Sequence, residues 1–254
     1  MIHVEPVLVG TSHGTDDPAG QAAVRALLDG VRAARPGLDV REAFVDVQQP
    51  ELGKVLAGAV ADAGSAVVVP LLLSTGYHVQ VDIAEAVAAV NASGSLAVAA
   101  EPMGPDPRLV DLLAERLAAV GPRPEDELVL AAAGSSVAAA AVAVEEVTRG
   151  LAERLGRPVA ASYGAGARPR VPDAVAAARA SLAERAGPAG SGAGGAGRVV
   201  VASYLLAPGY FQDRVLEAGA DVVSEPLALP GAADPRLVAL VLDRYDEAAA
   251  RLPR

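Results

Sequence analysis

Two distant stretches of this chain repeat one another in order. Glu101-Pro102, followed by Asp106-Pro107-Arg108-Leu109-Val110, is echoed by Glu225-Pro226 and Asp234-Pro235-Arg236-Leu237-Val238. The echo has company. The apolar run ending in His13-Gly14-Thr15 has a counterpart ending in Gly134-Ser135-Ser136, and Ser74-Thr75-Gly76-Tyr77-His78 has one in Ala207-Pro208-Gly209-Tyr210-Phe211. Ordered recurrence of this kind marks an internal duplication. The chain therefore reads as two similar domains, residues 1–122 and 123–254, joined at Gly121-Pro122-Arg123-Pro124, where breakers cluster.

Within the first half, strand-like and helix-like segments alternate. Strands are expected at Pro6 to Thr11, Asp39 to Val45, Ala66 to Leu73 and Leu96 to Ala100. Helices are expected at Pro18 to Ala34, Pro50 to Ala63, Val79 to Asn91 and Asp106 to Ala119. Pro at a helix's first turn fits its fixed φ and missing N–H. The run from Ala66 to Leu73 is apolar throughout, as a strand buried on both faces must be. A βα repeat of buried strands predicts an α/β fold with a doubly wound parallel sheet in each half. In the second half, strands are expected at Glu127 to Ala133, Pro158 to Tyr163 and Val199 to Leu206. Between residues 187 and 197, GPAGSGAGGAG reads as a flexible, exposed insertion.

Composition narrows the partners. The formal charge of −10 argues against nucleic acid or an anionic membrane. Cysteine is absent, so disulfides, thiolate metal sites and Cys nucleophiles are excluded. No apolar run is long enough to span a bilayer, and no basic region precedes an apolar core at the N-terminus. A cytoplasmic location is the expectation. Lys54 is the only lysine, so Arg must supply nearly all local positive charge.

The scarce residues sit at turns. There are three His, and two of them, His13 and His78, follow strand-like runs at Gly-containing turns. Asp46 follows the second strand in the same way. In open α/β sheets, ligands bind at the carboxyl ends of strands. Two His and a carboxylate suit a divalent first-row metal. A His also suits general-base work near neutral pH, or a plain hydrogen bond to a nearby carbonyl. Asp46 has its own local use, capping the turn before Pro50. There is no G-x-G-x-x-G after the first strand and no P-loop, which disfavours nucleotides. The duplicate lacks both imidazoles: Ala133 matches His13 and Phe211 matches His78. In its place, the segment GAGARPR offers Arg168 and Arg170 for carboxylates. Ser135, in the Gly134-Ser135-Ser136 turn, is positioned to add donors to the same anion.

At these residues the chain resembles the class II tetrapyrrole chelatases, the sirohydrochlorin chelatases among them. The matching motifs are His13-Gly14-Thr15 with Asp17-Pro18, and Ala43-Phe44-Val45-Asp46 with Pro50. They continue with Val69-Pro70-Leu71-Leu72-Leu73-Ser74-Thr75-Gly76-Tyr77-His78-Val79 with Asp82-Ile83, and Glu101-Pro102-Met103-Gly104-Pro105-Asp106. The chain departs from the family pattern in having Asp46 for a usual Glu, Asp16 and Gln80 where basic residues are common, and Ala84 for a usual Pro. The resemblance implies two chelatase-like domains with a cleft between them. It implies insertion of Fe²⁺ or Co²⁺ into sirohydrochlorin, in sirohaem or cobalamin biosynthesis. His13, His78 and Asp46 would bind the metal or accept pyrrole protons; Tyr77, Ser135, Arg168 and Arg170 would contact the macrocycle. The metal is a substrate and no tightly bound cofactor is expected; the protein would be a monomer or homodimer. The alternative is a non-catalytic tetrapyrrole- or metal-binding protein on the same scaffold.

Overall fold

A computed structural model describes residues 5–74, 76–187 and 197–253, with the backbone alone at 77–79. The expected insertion at 187–197 lies almost wholly outside the described residues. Among the described residues, sixteen elements alternate from β1 to α8. In chain order they are β1 (Val7–Ser12), α1 (Pro18–Ala34), β2 (Val40–Phe44), α2 (Leu52–Ala63), β3 (Ser65–Pro70), α3 (Tyr77–Ala92), β4 (Leu96–Ala99) and α4 (Pro107–Ala119). Then come β5 (Glu127–Ala132), α5 (Ala138–Leu155), β6 (Ala160–Tyr163), α6 (Val171–Ala186), β7 (Val199–Tyr204), α7 (Tyr210–Leu216), β8 (Val222–Val223) and α8 (Pro235–Ala249). They build two four-stranded sheets, ordered β2-β1-β3-β4 and β6-β5-β7-β8. Every pairing is parallel. The doubly wound α/β expectation holds in each half.

The pattern of the first sheet follows from its side chains. Val7, Val9 and Val68 share one face with Leu52, Leu56 and Ala59 of α2 and with Ile83 and Val90 of α3. The opposite face takes α1, whose Leu28 lies against Gly10, and α8, which packs on α1, β3 and β4. α1 buries Ala23, Val24, Leu27, Leu28 and Val31, a stripe at helical spacing. Asp17 caps it, accepting from the N–H of Ala19 and Gly20. β3 stops at Pro70, short of the expected Leu73: the Leu71 N–H reaches back to the Thr11 carbonyl (2.7 Å) and the chain turns away.

The chain divides into one unit of Met1–Gly104 with Ala228–Arg254, and another of Pro105–Leu227. This differs from the division at residue 122 read from the repeat. The sheets separate there, but the helices do not. α8 closes the first sheet: the Tyr245 hydroxyl donates to the Pro6 carbonyl (2.6 Å), and Arg35 grips Asp246 through two bonds of 2.7 Å. α4 instead packs on α5 and β7 in the second unit. Both helices open with the same device. Asp106 and Asp234 each accept from the backbone and guanidinium of the Arg two residues on, with Pro between.

Candidate functional site

The strand order decides where the scarce residues meet. β1 is flanked by β2 and β3, and the direction of chain progression reverses between β1 and β3. In open α/β sheets such a reversal marks the usual ligand site, at the strands' carboxyl ends. His13 is the first residue after β1, Asp46 the second after β2, and His78 the second residue of α3, which follows β3. The fold thus sets His13 and Asp46 just past two neighbouring strands, while His78 opens the helix that follows the third, eight residues beyond its end. The side chains of Tyr77 and His78 fall outside the description.

The loops after β1 and β2 are clamped together. Pairing continues past the strands, with Val45 N–H to the Ser12 carbonyl (3.1 Å) and Asp46 N–H to the His13 carbonyl (3.2 Å). Gly14, at φ 94°, lets the two backbones touch: a Cβ there would fall 2.7 Å from the Asp46 carbonyl oxygen. The Thr15 N–H donates to Gln48 Oε1 (2.9 Å), and Gln21 Nε2 donates to the Thr15 carbonyl (2.8 Å). His13 and Asp46 are both exposed on this braced platform. Asp46 Oδ1 accepts from the Val47 N–H (2.8 Å), so local capping uses one carboxylate oxygen. Among the described residues no three His, Asp or Glu side chains form a metal-holding group.

The second unit repeats the backbone and changes the chemistry. Both loops after the second strand carry a cis peptide, at Gln49-Pro50 and at Arg168-Pro169, and both close with a bridge, Phe44 to Glu51 and Tyr163 to Arg170. In that register Ala165 stands where Asp46 does. Arg170 donates to the Gly164 carbonyl of its own loop (2.6 Å), bracing it. Arg168 is 82% exposed, with Asp173 at 4.0 Å. The Ser135 hydroxyl accepts from the Val137 N–H (3.1 Å), a local turn at the start of α5.

Two further residues stand near these strand ends. Tyr210 opens α7 and is 70% exposed, edge-on to Phe211 and under the Arg214 guanidinium (5.6 Å). Its place is that of Tyr77 in the repeat, a signal already present in the sequence. Val47, 49% exposed at a positive φ of 54°, is the other, and no sequence pattern marks it.

A four-stranded parallel sheet with flanking helices, followed by a second of the same strand order, defines a duplicated α/β protein. Residues 7–120 match the CbiX family model. Among solved structures, it is similar to SirB from Bacillus subtilis with Fe³⁺, at 21% identity and TM-score 0.75, over 96% of this chain and 95% of that one. The sirohydrochlorin chelatase SirB from Bacillus subtilis subspecies spizizenii in complex with cobalt is similar too, at 19% identity and TM-score 0.74, over 96% and 95%. CbiX, the terminal enzyme for siroheme biosynthesis in denitrifying bacteria, aligns at 20% identity and TM-score 0.60, over 95% and 99%. These likenesses establish the fold across both halves. No curated protein sequence matches the chain.

Proposed function

We propose that this protein is a chelatase that inserts Fe²⁺ or Co²⁺ into sirohydrochlorin, serving sirohaem or cobalamin synthesis. The observation that supports the reading is that His13 and Asp46 lie exposed on the paired loops after β1 and β2, beside the reversal point between β1 and β3. The family match over residues 7–120 supports it.

Insertion exchanges two pyrrole N–H protons for one M²⁺ and strips water from the ion. The site must therefore hold a cation briefly and remove two protons. Imidazole does both near neutral pH, holding the ion as a neutral ligand and taking a proton as a base. His13 and His78 take these roles. Asp46 assists through the oxygen not used by the Val47 N–H, adding negative charge where the cation arrives. Its reach is shorter than a Glu's, which favours help to the ion's water shell over a direct bond. In the second unit, exposed Arg168 faces the substrate's carboxylates. Arg170 acts indirectly, holding the loop that carries Arg168, and Tyr210 offers an aromatic face.

The test is to mix the protein with sirohydrochlorin and Fe²⁺ or Co²⁺ under anaerobic conditions and follow the macrocycle's absorption bands. Acceleration over the uncatalysed rate is expected. Tight macrocycle binding without acceleration by any divalent ion would leave a non-catalytic binder.

A further inference from the structure

We infer that Val47 is a substrate-contacting residue whose strained backbone holds an apolar side chain against the face of the planar macrocycle. The inference rests on the chelatase reading above and adds a contact to the same site.

Among the described residues, Val47 is the only non-glycine at positive φ, 54°. Left-handed backbone crowds a β-branched side chain and is costly outside glycine. The conformation is enforced by a tight turn, in which the Gln48 N–H donates to the Asp46 carbonyl (2.5 Å). The second unit makes the same turn, with the Ala167 N–H to the Ala165 carbonyl (2.7 Å). There the central residue is Gly166, at φ 66°. This one chain thus contains an unstrained solution to the turn and does not use it at residue 47.

Burial does not compensate the strain, because Val47 is 49% exposed. Nor does the fold forbid glycine there. The two copies differ instead in what faces the turn. At Gly166 a Cβ would fall 2.1 Å from the Ser135 carbonyl carbon, so backbone seals the position. At Val47 the side chain stands clear, next to Asp46. Its Cβ is 3.2 Å from where a Cβ on Gly14 would be, one residue past His13. Strain retained at a ligand-binding strand end points to a functional contact. A short, branched, apolar group next to Asp46 and close to Gly14 packs on a conjugated ring and excludes water, while its polar neighbours handle the protons and the metal.

Three variants of the full-length chain test this: Val47→Gly, Val47→Asn and Val47→Ile. Glycine, and to a lesser degree asparagine, accepts positive φ. Val47→Gly is expected to raise Tm by about 2–4 °C through relief of strain. Both Val47→Gly and Val47→Asn are expected to weaken binding of metal-free sirohydrochlorin, followed by its absorption, about tenfold, the effect of losing one apolar contact. Their kcat/KM should fall in parallel, with Val47→Ile close to wild type. An unchanged or lower Tm in Val47→Gly would overturn the strain. Wild-type macrocycle affinity in Val47→Asn would overturn the contact. Wild-type protein that neither binds nor metallates sirohydrochlorin would instead overturn the chelatase reading, and the assigned ligand with it.

Discussion

Asp126 should make the second unit's stability fall steeply in acid. Its carboxylate is buried, with the residue 3% exposed, just ahead of β5. Oδ1 accepts from the Arg198 N–H (2.8 Å), and Oδ2 accepts from the Arg123 N–H (2.8 Å) and from Arg198 Nη2 (2.8 Å). The group ties the joint at residue 123 to the entry of β7. Burial pushes the carboxyl up, but the Arg198 side chain and the two backbone donors outweigh it and hold it at about 2, against 3.8 unperturbed. A shift of that size corresponds to about 2 kcal/mol at neutral pH. Because the folded pKa lies below the unfolded one, this stability is complete above about pH 4 and is lost as pH falls through about 2. Asp126→Asn should cost about 3 kcal/mol at neutral pH, since it also leaves Arg198 without its anion. Two units need not melt together, so the assay is hydrogen exchange of β5 and β7 amides in moderate urea. The gap between wild type and variant should be constant above about pH 4 and close below it. A gap that persists undiminished to about pH 2 would show that the carboxylate's charge plays no part.

Other outcomes follow from the same geometry. His13→Ala and His78→Ala should each lower metal insertion by about 100-fold or more while leaving circular dichroism unchanged; wild-type turnover in either removes that imidazole from the mechanism. Arg168→Ala should raise KM for sirohydrochlorin and flatten its salt dependence without changing metal affinity, because the side chain is exposed and only loosely paired. Arg170→Ala should show instead as lower stability, since its guanidinium holds the Gly164 carbonyl. Leu240→Ala, at a fully buried position of α8, should cost about 2–5 kcal/mol. The loss should speed amide exchange in β1 and β3 and spare β5 and β7; the reverse pattern would place α8 on the other sheet.

Much of this was legible in the sequence because its signals are local. The helix from Pro18 to Ala34 could be read to the residue, since Asp17 and Pro18 announce its start and the apolar stripe its extent. The duplication was readable because short turn motifs survive where packing residues drift. Ownership of α4 and α8 was not readable. Both helices carry the same Asp-Pro-Arg opening and similar apolar faces, and adjacency in sequence suggested that each closes the sheet preceding it. Which sheet a helix covers is settled by packing contacts far apart in the chain, such as Tyr245 on Pro6. Val47 was unreadable for another reason. A backbone dihedral enforced by a turn leaves no trace in residue type when the residue present is the wrong one for that dihedral.

The second unit carries Ala133, Ala165 and Phe211 where the first carries His13, Asp46 and His78, and its strand ends pack closely. At Gly134 a Cβ would fall 2.1 Å from the Ala165 carbonyl oxygen, and at Gly164 one would meet the Phe211 ring at 2.8 Å. The loop after β6 is drawn onto the loop after β5 and onto α7. Buried polar groups then secure the short helix, with Ser203 donating to Gln212 and the Ser203 N–H to Ser224 Oγ (3.0 Å). The first unit clamps its loops in the same way, yet leaves His13 and Asp46 exposed. On the chelatase reading proposed above, the first copy would supply the reactive groups, and the exposed Arg168 and Tyr210 of the second would suit holding a flat polyanion.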